Sequence, residues 1–401
     1  MPTQAIDFNN ITNVVFNGAD QDEVVINGST IWEFPAITGT LFKQIPNGGS
    51  WPFAAKGALA CTDTYTVVGN QVNVFIYNTI TGALLHTLSD NDLTGNYYFG
   101  DSVACTDTYT VVGAPLYNSR GGKICVYNTS TGSLLHTMIG TIPLSKEGDS
   151  VACTDTYTLA GGDGWRSAGT VQVYSTANGS LLHTLSNPNA FGAAEGDYFG
   201  VDLACTDTYA VVGASSRGSR TPEEPGHVYV YNIATGALLY TLDHPTPSLT
   251  PGYDSDSFGY SVACTDLYLV VGGGDDDKVS ILDITNGNLL HTIDNPNYYD
   301  GFYPDRFGSS IDCTDACTIV GAPSEGFADG RNNRHSGVAY IFNTKTGALI
   351  KTVVNPNAHP TDRDRDYFGA SVAISANSAA VGSTDQTDQD YSYYGMLYLY
   401  T

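Results

Sequence analysis

One short phrase returns seven times along this chain and limits what it can fold into. Ala-Cys-Thr-Asp stands at Ala60-Cys61-Thr62-Asp63 and Ala104-Cys105-Thr106-Asp107, and related copies centre on Cys153, Cys205, Cys264 and Cys313. A seventh copy, Ser371-Val372-Ala373-Ile374, has Ile374 in the cysteine slot. The spacing between anchors runs from 44 residues (61 to 105) to 61 residues (313 to 374). Around each anchor lie four short segments rich in Val, Ile, Tyr and Thr, bounded by Gly, Asn or Asp. Near Cys105 they are Phe99 to Ala104, Tyr109 to Gly113, Lys123 to Tyr127 and Ser133 to Met138. None has the length or period of a helix, so all read as strands. Four strands repeated seven times predict an all-β chain, a seven-bladed β-propeller of four-stranded antiparallel blades.

The ends of the chain agree with a closed ring. The seventh repeat stops at Thr401, after its third strand at Met396 to Tyr400, and lacks a fourth. The missing strand stands near the start, where Thr38-Gly39-Thr40-Leu41-Phe42-Lys43-Gln44-Ile45 matches Thr81-Gly82-Ala83-Leu84-Leu85-His86-Thr87-Leu88. Residues 38–45 are therefore expected to complete the last blade and remove its open edge. The propeller is assigned to 36–401. Residues 1–35 form a separate small β-hairpin segment around the Asn17-Gly18 and Asn27-Gly28 turns.

The net charge of −25, from 16 Lys+Arg against 41 Asp+Glu, repels nucleic-acid phosphates and anionic lipid headgroups, so neither nucleic acid nor membrane insertion is expected. Met1 to Asn10 lacks the basic and apolar regions of a signal peptide, which suggests synthesis in a cytoplasm. Ile374 in the anchor slot argues that the equivalent cysteines are small buried hydrophobes rather than metal ligands or disulfide partners. Cys125 and Cys317 fall outside this register and receive no role.

Strand parity puts links one-to-two and three-to-four on one face, and links two-to-three and four-to-next on the other. The first face is constant. Eight residues separate each anchor from the Gly ending the second strand, as from Cys105 to Gly113, and five separate Tyr77 from Gly82 or Phe342 from Gly347. All length variation falls on the second face, in loops such as Ala114 to Gly122, Ala214 to Gly226, Ala322 to Gly337 and Asn355 to Tyr367. Variable loops on a rigid scaffold are where function usually sits. These loops carry aromatic rings and Arg, which suit sugar faces or a protein epitope. The candidate ligand-binding residues are Trp165, Arg166, Tyr298, Tyr299, Phe302, Tyr303, Arg331, Arg334 and Arg363.

Catalytic and metal signals are absent. His86, His136, His183 and His291 share one fourth-strand position, which is aligned with Tyr240, Ile350 and Phe42 and reads as a packing position. No phosphate loop, metal-spaced His pair or nucleophile elbow occurs. No catalytic residue, metal ligand or cofactor is assigned.

Phe99-Gly100, Phe199-Gly200, Phe258-Gly259, Phe307-Gly308 and Phe368-Gly369 open first strands, and Gly113-Ala114-Pro115 and Gly321-Ala322-Pro323 follow second strands. In these residues the chain resembles the FG-GAP repeats of integrin-type propellers over 36–401. The acidic calcium loop of that family is missing, since the tight Cys-Thr-Asp turn takes its place. The phrase Tyr127-Asn128-Thr129-Ser130-Thr131-Gly132-Ser133-Leu134-Leu135 is also similar to quinoprotein propellers, but His136 stands where their docking Trp belongs, which argues against a quinone. Residues 13–32, with Asn13-Val14-Val15-Phe16-Asn17-Gly18 and Glu23 to Trp32, resemble N-terminal attachment segments of tailed-phage virion proteins. That resemblance implies a non-enzymatic virion fibre or adhesion protein. Residues 1–35 would meet other virion proteins, and the variable face would meet a host glycan or surface protein. Purely structural decoration or bridging of the virion, and an enzyme acting on polysaccharide, stand as alternatives. Binding to host cells and release of reducing sugar discriminate among the three.

Overall fold

The structure is a computed structural model describing residues 40–46, 57–90, 98–140, 145–162, 169–188, 198–215, 226–245, 257–273, 277–298, 305–326, 336–358, 366–387 and 393–401. It also describes the backbone of 14–17, 23–26 and 29–33, and it omits the side chains of 119, 385–387 and 393–394. Seven four-stranded antiparallel sheets follow one another along the chain. Blade one consists of Leu59–Cys61, Tyr65–Gly69, Val74–Asn78 and Leu84–Leu88; blade two consists of Val103–Cys105, Tyr109–Ala114, Lys123–Asn128 and Leu134–Ile139. Blades three to six occupy 150–186, 199–243, 261–294 and 310–354. Blade seven combines Phe368–Ile374, Ala379–Thr387 and Tyr393–Tyr400 with Leu41–Pro46 from the other end of the chain.

Closure follows the expected register, with Leu397 opposite Ile45 and Leu399 opposite Lys43. The closing strand runs to Pro46, and residues 38 and 39 lie outside the described residues. The expected hairpin segment continues into a third strand, so that Val14–Asn17, Glu23–Ile26 and Ser29–Glu33 make a three-stranded antiparallel sheet. The link after the second strand of blade two contains a single helical turn, Tyr117–Arg120, which the strand pattern did not signal.

The core lies between blades, since each sheet buries both faces against its neighbours. Ile76 and Leu88 of blade one pack with Val112 and Tyr127 of blade two, while Tyr77 turns the other way, onto Leu397 and Leu399 of blade seven. Each fully buried Val or Ile contributes roughly 1.5–3 kcal/mol.

Two glycines set how closely blades approach. The first, after Phe, has φ of +84° at Gly100, +87° at Gly308 and +87° at Gly369, a region that costs other residues strain. Its carbonyl points at the glycine ending the second strand of the preceding blade. A Cβ on Gly321 would lie 2.0 Å from the Gly369 oxygen, and one on Gly113 would lie 2.0 Å from the oxygen of Gly148, which follows Glu147 in place of Phe. The Phe-Gly and Gly-Ala positions are thus two halves of one contact. Ser102 and Ser310 donate to the same carbonyls, of Gly148 and Gly369, each at 2.7 Å.

On the constant face the Cys-Thr-Asp turn joins neighbouring blades. Thr62 donates to Asp107 (2.6 Å), Thr106 to Asp155 (2.5 Å), Thr154 to Asp207 (2.6 Å) and Thr206 to Asp266 (2.6 Å). Where the ring closes, Asn377 donates its backbone and side-chain N–H to Asp63. Within a blade, Thr129 donates to the Thr106 carbonyl and bonds Thr110, which ties the three-to-four turn to the one-to-two turn.

The fourth-strand histidine alignment requires correction. Strand pairing puts Lys351 opposite Ile341 and Lys43 opposite Leu399, the register of His86 opposite Ile76. Ile350 and Phe42 sit one residue earlier, at the bulge that each fourth strand carries. The position therefore takes His, Tyr or Lys, residues that reach over the next blade's turn. Nε2 of His86, His183 and His291 bonds the carbonyls of Ser130, Ala234 and Lys345 at 2.8–2.9 Å, Tyr240 donates to Ile284, and the Lys43 stem covers Gly82. It is a blade-to-blade latch as well as a packing position.

Candidate functional site

The first strands of all seven blades surround an axial channel of about 320 Å³. They run from the variable face toward the constant face, so the cysteine anchors line the channel beside the Cys-Thr-Asp turns. Cys61, Cys105, Cys153, Cys205 and Cys264 are half-buried against this channel, and only Cys313 of the six anchors is fully buried. The anchors pack against the buried hydrophobic residues of the joints as expected, but five of them are not fully buried. All eight cysteines are free thiols, and burial raises the anchors' pKa well above that of an ordinary thiol.

Two carboxylates enter the same wall. Asp312 accepts N–H bonds from Cys313 and, across the joint, from Ile374, both at 2.8 Å. Asp202 likewise accepts from Leu203 (3.1 Å) and from Val262 of the next blade (2.9 Å). Burial pushes Asp312 up to about 6; its two N–H donors oppose the shift, and the Asp202 charge adds to it. These groups stitch blades together while giving the channel an acidic lining.

On the variable face, six of the blades enter their first strand through a non-glycine residue with left-handed φ. These are Tyr98, Lys146, Tyr198, Ser257, Arg306 and Tyr367, with φ between +50° and +59°. A side chain held in that region costs about 1–3 kcal/mol and is retained only where its surroundings enforce it. The result is three tyrosines, Lys146, Arg306 and Ser257 at one register, next to the link that leads into each of these blades. The Asp before this residue is drawn into the joint: Asp305 accepts from Asn295 Nδ2 (3.0 Å) and Asp366 from Asn355 Nδ2 (2.9 Å).

At the joint of blades five and six, Glu325 is only 2% exposed. Its Oε1 accepts from Tyr340 Oη (2.7 Å) and Asn297 Nδ2 (2.9 Å), while Oε2 is buried with no hydrogen-bond partner. Burial pushes Glu325 up to about 7; the Tyr340 and Asn297 bonds oppose this and the Asp305 charge adds to it. Sequence reasoning missed this residue. The available signal was Gly321-Ala322-Pro323-Ser324-Glu325 beside the repeated Asn295-Pro296-Asn297 and Asn355-Pro356-Asn357.

Of the predicted binding residues, Tyr298 is described, in the link from blade five to blade six and 62% exposed. Its N–H bonds the Asn295 carbonyl. Trp165, Arg166, Tyr299, Phe302, Tyr303, Arg331, Arg334 and Arg363 lie outside the described residues. Among the described residues no group of three or more His, Cys, Asp or Glu side chains is placed to hold a metal ion, and no helix is long and apolar enough to cross a membrane.

A family model described as the FG-GAP repeat matches residues 190–231, which include the first two strands and most of the third strand of blade four. No curated protein matches the sequence. A propeller that carries such a repeat fits a binding or adhesion-type module.

Proposed function

We propose that this chain is a non-enzymatic adhesion protein of a tailed-phage virion, attached through residues 1–35 to other virion proteins and binding a host glycan or surface protein with its variable face. The observation that carries the reading is the asymmetry between the faces. The constant face is fixed by repeated Thr-to-Asp bonds from blade to blade, which explains why its links cannot vary. The other face is free of that constraint and collects the loop insertions, the aromatic rings and Arg.

The test is binding of the full-length protein to host cells and to an array of surface glycans. Trp165→Ala and Arg334→Ala are expected to weaken attachment by roughly 1–3 kcal/mol each without lowering the melting temperature. Ile80→Ser on the constant face serves as the control, because Ile80 is exposed in its turn. Attachment lost through Ile80 and untouched by the two loop changes would refute the assignment.

A specific observation favours structural bridging as a second reading. At the outer edge of blades one to six, paired apolar residues such as Leu134-Leu135 and Leu181-Leu182 stay exposed, a repeated apolar belt beyond the scattered residues of ordinary surfaces. Absence of host binding, together with loss of particle incorporation in a Leu134→Ser, Leu135→Ser variant, would select this reading.

A further inference from the structure

The joint between blades one and two differs from those between blades five and six and between blades six and seven. At the five–six and six–seven joints, the register four residues past the latch position holds Asn295 and Asn355. The third strand there presents Tyr340, opposite Val320, and Tyr398, opposite Val381. Tyr398 Oη bonds the Asn355 amide. In the one–two joint the asparagine is replaced by Asp90, and the tyrosine by Cys125, opposite Val112. Two residues before Cys125, on the same side of the strand, is Lys123.

These three side chains converge. Lys123 Nζ donates to Asp90 Oδ2, and the Cys125 thiol reaches the same oxygen at 3.8 Å. The Lys123 and Asp90 side chains are only 5% and 7% exposed, and the Tyr117 ring lies 5.1 Å from Nζ. An amine and a carboxyl are therefore held together away from water, 33 residues apart in sequence.

We propose that Lys123 and Asp90 are the site of an intramolecular amide cross-link between the exit of blade one and the third strand of blade two. Transfer of one proton from the ammonium to the carboxylate within this contact gives a neutral amine and a carboxylic acid. The amine lone pair then attacks Cγ of Asp90, and one C–O bond of the resulting tetrahedral carbon breaks. That oxygen leaves as water with the carboxyl proton and one amine proton, the second amine hydrogen staying on the amide. The balance needs no oxidant, cofactor or activated donor. Fixed proximity supplies the effective concentration that free amines and acids in water lack, and the product removes two buried charges. Cys125, whose thiol burial pushes up to about 12, keeps its proton and holds the carboxyl oxygen.

The test is the intact mass of the purified, folded full-length protein, followed by peptide mapping. The expected mass is one water below that of the sequence, with a branched peptide joining residue 90 to residue 123. Lys123→Arg, whose guanidinium does not condense, and Asp90→Ala are each expected to show their full sequence mass. A full-mass native protein would overturn the proposal. So would a water loss that persists in Lys123→Arg, since that would place it in a succinimide at Asp163-Gly164, Asp300-Gly301 or Asp329-Gly330.

Discussion

Thr106 donates its hydroxyl to Asp155 at 2.5 Å across the boundary between blades two and three, while its own neighbour Asp107 receives the hydroxyl of Thr62 from blade one. The turns of blades one to four thus reach forward with Thr62, Thr106, Thr154 and Thr206, and those of blades two to five are held from behind through Asp107, Asp155, Asp207 and Asp266. The Thr108 hydroxyl adds a second bond to Asp155 at 3.2 Å. Asp155→Ala removes both bonds and is expected to cost about 1–2 kcal/mol, the pair being solvent-accessible. A double-mutant cycle with Thr106→Val, followed by chemical denaturation, should return a coupling of about 0.5–1.5 kcal/mol. Additive single changes would mean that the bond contributes nothing.

Removing the closing strand should be far more damaging than removing what precedes it. Leu397 and Leu399 are fully buried beneath Leu41–Pro46. Deletion of residues 1–46 bares the third strand of blade seven and should produce aggregation, whereas deletion of 1–39 keeps every described pair of the ring. Light scattering and a thermal melt distinguish the two, and equal behaviour of both deletions would contradict closure.

Gly113→Ala tests the contact behind the repeated glycines. The new Cβ would fall 2.0 Å from the Gly148 carbonyl oxygen and 2.3 Å from Ser102 Oγ. A backbone carbonyl in the next blade has no rotamer by which to withdraw, so the joint must spread. A loss of about 3 kcal/mol or more is expected, at the upper end of overpacking. Gly57→Ala has open space, its nearest atoms being 3.8 Å away, but it pays for a φ of +80°, and should lose only about 1 kcal/mol. Equal melting temperatures for the two variants would refute the steric account.

Glu325 predicts a pH dependence with a definite sign. Its folded pKa of about 7 lies above the ordinary 4.5, so the folded protein holds a proton that the unfolded chain has released. Stability from this group is flat below about 4.5, falls as pH rises from there to about 7, and is flat again above. The total is on the order of 3 kcal/mol for this almost fully buried group. Glu325→Gln should remove that slope and be the more stable form at pH 8. Urea midpoints at pH 5 and 8 measure it; a variant as pH-dependent as the parent would show that Glu325 does not titrate in this window.

Fold class, blade number, closing strand and the division into a constant and a variable face were all legible in the sequence. They depend on local alternation, on turn residues and on repetition, which a single chain displays openly. The histidine register was also legible, since His86, Lys43 and Lys351 each stand four residues after the turn glycine, and pairing agrees that Lys351 and Lys43, not Ile350 and Phe42, share it. The anchors read as hydrophobes because Ile374 shares their slot; that they line a channel depends on seven first strands meeting at one axis.

What the sequence determined by itself was which residues are equivalent. What each equivalent residue does was decided by the neighbouring blade. Thr106 and Asp155 are 49 residues apart, Ser102 and Gly148 are 46 apart, and Lys123 and Asp90 are 33 apart. No pattern within a strand encodes such pairs, because they exist only once closure fixes the angle between sheets. The same holds for Glu325: its ordinary carboxyl acquires a pKa of about 7 through the burial that two packed blades impose.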